Sequence, residues 1–324
     1  MQNVDTKHLK CYLAEQADYV ASLACDGLFP MFKTATSDAG TVVEPVTGLF
    51  STLEVLARAG DMLPTRLRDA ALAVVLDSRL PKGMWAWEDE SHPPPDLDST
   101  AMAAAVLAIH RPGTVGPHDA KLLRSFWRAP MGPFRTWHLG SITGGHWSSR
   151  STDDPTVNFN ALFALRSLGF PLRWAEVSAA KKLMRKSGGS SRYYPSPSSP
   201  HYSAWRAGIT GAGTGTRREI PSLDPSVPGG VQSWAEDCIS LGKVVDRDVA
   251  RLSSGSFNPT GEERWCGGNF PRMKEVFWSS PAVVSATVIQ LIQLIVSGRV
   301  RVVTGARPPG ASSADESHLG ATEV

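Results

Sequence analysis

Along most of the chain the apolar positions fall into stretches of helical length, and five of these stretches begin beside a proline. They are EPVTGLFSTLEVLARAG from Glu44, PDLDSTAMAAAVLAIH from Pro95, DPTVNFNALFALRSLG from Asp154, PHYSAWRAG from Pro200 and PAVVSATVIQLIQLIVSG from Pro281. Proline suits the first helical position, where its missing N–H would be unpaired in any case. Glycines follow at Gly60, Gly169, Gly208 and Gly298, the matching stop signal. The long gap before Pro281 has room for a sixth unit, and VPGGVQSWAEDCISLG around Pro228 is the candidate.

Between these stretches lie amphipathic ones, LRDAALAVVLD, HDAKLLRSFWR and WAEVSAAKKLMRK. The proline-led set is apolar nearly all round, as in AMAAAVLA, so it belongs inside and the amphipathic set outside. About six inner and six outer helices predict an all-α chain, an α/α toroid. An open helical solenoid would give the same periodicity; the count of about six pairs points to closure. Aromatic residues precede each inner helix: Phe29 and Phe32, Trp85 and Trp87, Trp147, Tyr193 and Tyr194, Phe277 and Trp278. Aligning the repeats on their prolines puts Gly48, Asp98, Asn158, Ser203 and Val284 at one helical level.

Composition changes the picture in only a few places. The 324 residues are 42% hydrophobic and 20% charged, with a formal net charge of +2, so no electrostatic case arises for nucleic acid. The run from Pro281 to Gly298 contains Ser285, Thr287, Gln290 and Gln293 and reads as a buried helix, without stable insertion into a membrane. No signal-peptide core opens the chain, and the four cysteines have no regular spacing, so a cytoplasmic protein with reduced thiols is expected. From about Arg299 large apolar residues almost vanish; residues 1–298 are expected to form the helical domain and residues 299–324 a disordered tail.

The stretch richest in chemistry is GMWAWEDESHPPPDLDSTAMAAAVL, where Asp96, Asp98, Ser99 and Thr100 sit at the entry to an inner helix. Asp96 could cap that helix and Asp98 could favour its dipole. The segment also resembles the acidic motif of the squalene-hopene cyclases, the class II terpene cyclases, here written Asp96-Leu97-Asp98-Ser99-Thr100. WSSPAVVSA at Trp278 and YYPSPSSPHYSAW at Tyr193 are further family-like features, and the likeness runs over roughly residues 25 to 298.

The resemblance implies protonation-initiated cyclisation of a linear isoprenoid, a prenyl diphosphate or related polyene. Asp98 would be the general acid, with Asp96 and Thr100 as its supports. Such an acid must stay protonated at neutral pH, which burial against apolar helices promotes. Aromatic faces stabilise a cation without quenching it, which makes Trp85, Trp87, Trp147, Trp205 and Trp278 candidate substrate contacts. Asn158, Tyr202 and Ser203 are added from their places near the inner-helix starts. No cofactor is needed for protonation; magnesium would enter only with a diphosphate substrate. Well-studied relatives usually carry a second helical domain, whereas a single one is expected here. The cavity would then be completed within the toroid, by a partner chain, or by the loop from Ile209 to Gly230 with its GAGTGTRR run. Two other readings stay open. One is a non-catalytic toroid that binds an isoprenoid or a peptide. The other is zinc chemistry like that of protein prenyltransferases, for which Asp237, Cys238, Cys266 and His201 are conceivable ligands.

Overall fold

The structure is a computed structural model. It describes residues 6–37, 40–46, 48–87, 95–128, 130, 132–137, 153–194, 196–209, 223, 230–253, 264–268 and 275–304. Among these the chain runs α1 (Thr6–Ser22), β1 (Met31–Ser37), β2 (Gly40–Val46), α2 (Leu49–Ala59), α3 (Thr65–Asp77), α4 (Leu97–His110) and α5 (Pro117–Ser125). It continues α6 (Pro155–Ser167), α7 (Trp174–Lys186), α8 (Ser199–Arg206), α9 (Gly230–Leu241), β3 (Lys243–Val245) and α10 (Asp246–Ser253). Last come β4 (Arg264–Gly268), β5 (Glu275–Ser279), α11 (Pro281–Val296) and β6 (Arg301–Val303). Helices dominate, as the periodicity predicts.

Six helices pack in a cycle. α2 lies against α4, α4 against α6, α6 against α8, α8 against α9, α9 against α11, and α11 against α2 again. Every residue of α4 from Leu97 to Leu107 is buried, whereas α3 buries only Ala71, Leu72 and Val75. α3 packs on α2 and α4, α5 on α4 and α6, and α7 on α6. This is the division that apolar and amphipathic surfaces dictate. α1 covers α11 on the outside, with α10 against it.

The starts of these helices differ in detail from the proline pattern. Pro155 and Pro281 do open α6 and α11, and Pro200 lies in the first turn of α8. Pro45, however, lies in β2 opposite Phe32, and α2 begins only after Gly48. A Cβ on Gly48 would lie 1.7 Å from the Phe29 carbonyl oxygen, so only glycine lets the strand segment and the helix meet. Ser51 donates to that same oxygen at 2.6 Å, and Thr52 accepts from the Phe29 N–H. Pro95 precedes the cap, Asp96, rather than opening α4. Pro228 lies outside the described residues. Three of the four stop glycines, Gly169, Gly208 and Gly298, have positive φ; Gly60 instead sits in a 3-10 turn with φ −55°.

The helical periodicity does not predict the strands. β2, β1, β5 and β4 form an antiparallel sheet in that order, and β3 pairs parallel with β6. Arg301–Val303 therefore continue the fold past the expected start of the tail, and residues 305–324 lie outside the described residues. No described helix is long and apolar enough to cross a membrane.

Candidate functional site

The two acids at the head of α4 do different things. Asp96 has extended backbone (φ −125°, ψ 163°), and its carboxylate accepts from the Ser99 N–H and the Ser99 hydroxyl, each at 2.8 Å. That is N-capping, the local role an aspartate before an apolar run should take. Asp98 is spared this duty. It is 5% exposed, and its Oδ1 accepts from Asn160 Nδ2 of α6 at 2.7 Å. Its Oδ2 accepts from the hydroxyl of Tyr194, in the segment before α8.

Burial is the main force on both carboxyls. It pushes Asp98 up to about 8, helped by the negative charge of Asp96 and opposed by the bonds from Tyr194 and Asn160. Asp96 rises to about 6 through burial, held back by its bonds to Ser99. At neutral pH Asp98 is thus mostly a neutral acid with a hydrogen-bonded partner on each oxygen.

Aromatic rings extend from the acid. The Tyr194 ring stands 6.5 Å from that of Phe50, tilted by 51°, and Phe50 stacks on Trp87 at 4.2 Å. The Tyr194 segment is fixed from α6. Asp154 caps α6 by accepting from the Thr156 and Val157 N–H groups. Its other oxygen accepts from Ser191 Oγ at 2.8 Å and the Arg192 N–H at 2.7 Å. Ser191 Oγ in turn accepts from the Tyr193 and Tyr194 N–H groups. One buried carboxylate therefore starts a helix and sets the loop that brings Tyr194 to Asp98.

Other residues singled out by the sequence lie elsewhere. Thr100 bonds the backbone N–H and carbonyl of Trp85, not Asp98, because residues two apart on a helix face different ways. Trp85 is fully buried, with its indole N–H on the Val75 carbonyl of α3 at 2.7 Å and Arg79 over its ring. Asn158 serves the Phe134 backbone, accepting from its N–H at 2.8 Å and donating to its carbonyl at 3.1 Å. The proline alignment thus points to the asparagine two residues short of Asp98's partner. Ser203 is buried on α8, while Asp98's side-chain bonds go to Asn160 and Tyr194. Tyr202 donates to Gln290 at 2.7 Å and stacks with Trp205, both packing with α9 and α11. Trp278 pairs with Lys33 and Cys266 in the sheet, and Trp147 lies outside the described residues. The GAGTGTRR run also lies outside them. Among the described residues no three His, Cys, Asp or Glu side chains group as a metal site.

Behind Asn160 lies a buried polar network that the repeat pattern does not reveal. Arg206 of α8 donates to Asn160 Oδ1 at 2.7 Å and to Glu54 of α2 at 3.1 Å. Glu54 also accepts from Arg58 Nε at 2.9 Å. Arg58 reaches Glu236 of α9 and Thr287 of α11, each at 3.0 Å. Glu236 is completed by Ser199 and Gln232. With Asp98 on α4, all six helices of the cycle contribute, and the two arginines balance the two glutamates. Burial alone would push Glu54 up, but Arg206 and Arg58 hold it below its ordinary value. The signal that reveals such a network is an ionisable residue in an otherwise apolar helix, as with Glu54 and Arg58 one turn apart in LFSTLEVLARA.

No family model and no curated protein matches the sequence. The fold is similar to that of solved structures. The apo type II terpene cyclase MstE from Scytonema superposes with a TM-score of 0.64 at 12% identity, over 91% of this chain and 99% of that one. An aspartate-to-asparagine variant of it, in complex with geranylgeranyl dihydroxybenzoate as substrate, gives 0.63 at 11% identity, over 92% and 99%. An aspartate-to-alanine variant with the product merosterolic acid A gives 0.62 at 10% identity, over 92% and 100%. The shared fold spans those chains almost end to end.

Proposed function

We propose that this chain is a class II terpene cyclase on an α/α toroid, which protonates a linear polyene through Asp98 and lets the resulting cation close rings. The observation that carries the reading is a buried aspartic acid, raised to about 8, bonded on both oxygens and flanked by aromatic rings. Few structural roles call for a carboxyl in that state, because a neutral acid at pH 7 is a proton donor. The likeness to a type II terpene cyclase along nearly its whole length supports a single helical unit as sufficient.

In the proposed reaction the Asp98 proton passes to a terminal alkene carbon, and the carboxyl becomes a carboxylate. The Asn160 NH2 already points at Oδ1, and once the proton has left, the Tyr194 hydroxyl can donate to Oδ2, so the new charge meets a donor on each oxygen. The carbocation forms beside the rings of Tyr194, Phe50 and Trp87, whose faces stabilise it and offer no strong nucleophile. Successive double bonds attack it, and loss of a proton ends the sequence. Asp96 acts by capping α4 and by keeping a second carboxyl near Asp98. The substrate is a prenyl chain, free as the diphosphate or borne on an aromatic acid like the ligand of the MstE variant. Protonation itself calls for no metal.

The test is incubation of the purified protein with prenyl diphosphates, squalene and geranylgeranyl dihydroxybenzoate, followed by product analysis. Cyclised products from wild type, and none from Asp98→Asn with its fold intact, are expected. Full turnover by Asp98→Asn would remove Asp98 from the role of acid. No product from wild type across the panel would favour a protein that only binds such chains.

A further inference from the structure

The network behind Asn160 does something specific to the acid. An asparagine amide can present either its oxygen or its NH2 to a neighbour, but a guanidinium has donors only. With Arg206 Nη2 donating to Asn160 Oδ1 at 2.7 Å, the amide must turn its NH2 toward Asp98 Oδ1, also at 2.7 Å. Asp98 Oδ1 is thereby an acceptor and cannot carry the acidic hydrogen. Oδ2 is different, because its partner Tyr194 is a hydroxyl that can turn to accept from the neutral acid or to donate to the carboxylate. The proton therefore belongs on Oδ2, on the side of the Phe50–Trp87 stack. Arg206 alone would also bring a buried positive charge close enough to favour the anion of Asp98. Glu54 lies against it, with contacts of 3.1 and 3.5 Å, and both side chains are nearly inaccessible.

We propose that Arg206 and Glu54 are the positioning pair of this acid: Arg206 fixes the Asn160 amide so that the Asp98 proton sits on Oδ2, and Glu54 cancels the charge that Arg206 would otherwise project onto Asp98. The catalytic half of the inference rests on Asp98 being the proton donor proposed above; the placement of the proton does not. The groups facing Asp98 are few. Asp96 comes from the head of its own helix, Glu54 from α2, Tyr194 from the segment before α8 and the Asn160 amide from α6, with Arg206 of α8 one hydrogen bond behind that amide. On the α3 and α5 side, Arg79 and Asp119 pair with each other.

Three single variants, Glu54→Gln, Arg206→Gln and Arg206→Lys, separate positioning from packing. The protonated carboxyl of Asp98 is followed against pH by infrared difference spectroscopy, identified by its loss in Asp98→Asn, and turnover is measured on the same samples. Glu54→Gln leaves Arg206 uncompensated, so the Asp98 midpoint should fall by about one pH unit or more. Arg206→Gln leaves Glu54 in excess, so the midpoint should rise. Turnover should nevertheless drop about tenfold or more even where Asp98 is fully protonated, because the amide is free to flip. Arg206→Lys, again a donor-only cation, should recover most of that loss.

If Arg206→Gln or Glu54→Gln does not fold, the double variant carrying both changes keeps Arg58 balanced by Glu236. It should show a near-native midpoint with turnover still low. Midpoints that stay put, or move the same way in both single variants, overturn the proposal. A double variant as active as wild type does so too. A wild type without turnover refutes the cyclase reading, while the infrared midpoints still decide whether the pair positions the proton.

Discussion

Replacing Asp98 by asparagine should make the protein more stable at neutral and alkaline pH, even as it removes the acid. Asparagine matches the neutral carboxyl in size, and its oxygen can accept from Asn160 while its NH2 donates to the Tyr194 hydroxyl. The amide's second N–H has no counterpart in the carboxyl, a cost that does not vary with pH. The carboxyl is different because its pKa is raised from 3.8 to about 8, chiefly by burial. A raised acid binds its proton more tightly in the folded state. Its contribution to stability is therefore fully present below pH 4 and is lost as the pH rises through about 8. Each pH unit of that interval costs about 1.4 kcal/mol, so about 6 kcal/mol separates its two ends. The variant has no such dependence, and Asp96 is present in both proteins. Urea denaturation of the two at pH 4, 5, 6, 7, 8 and 9 is the assay, since urea adds no ionic strength. The difference in unfolding free energy should grow in favour of the variant by about 1.4 kcal/mol per pH unit from 4 to 8 and then level off. Parallel curves would mean that Asp98 is ionised in the fold, and the acid would lose its physical basis.

Other outcomes follow from the same contacts. Tyr194→Phe removes a donor that favours the Asp98 anion, so the alkaline limb of turnover should move to higher pH. Its maximal rate should fall about tenfold or more, from the lost bond to the carboxylate formed in the reaction; an unmoved pH profile would contradict this. Asp154→Ala removes the α6 cap and the anchor of the Tyr194 segment together. A loss of roughly 1–3 kcal/mol in urea unfolding is expected, with reduced turnover, whereas loss of stability alone would unlink that segment from the site. Gly48→Ala drives a Cβ into the Phe29 carbonyl and should cost about 1–3 kcal/mol, readable as a lowered thermal midpoint.

The chain's local patterns are enough to place the buried helices, because burial of α4 on all sides follows from an unbroken apolar run and needs no knowledge of its neighbours. The same holds for the helix entries at Asp96, Asp154 and Pro281, where a cap or a proline acts within a few residues of itself. The candidate acid at Asp98 is legible too, as a carboxyl in the first turn of a helix too apolar to leave it in water. The β1–β2 hairpin is hidden because EPVTG fits the pattern of a proline-led helix, and strand pairing with β5 joins residues more than two hundred positions apart.

What the tertiary structure decided is which side chains meet. Asn160 rather than Asn158 faces Asp98, and Thr100 turns toward Trp85, because on a helix a step of two residues rotates a side chain by more than half a turn. Nor does any local signal join Glu54 to Arg206, or Arg58 to Glu236, across stretches longer than one hundred and fifty residues. The sequence by itself determines which faces are apolar and where helices begin, since those depend on neighbours along the chain. The rotation of each helix, and with it the protonation state of Asp98, is settled only when the cycle of six packs and the polar groups inside it have nowhere to turn but toward one another.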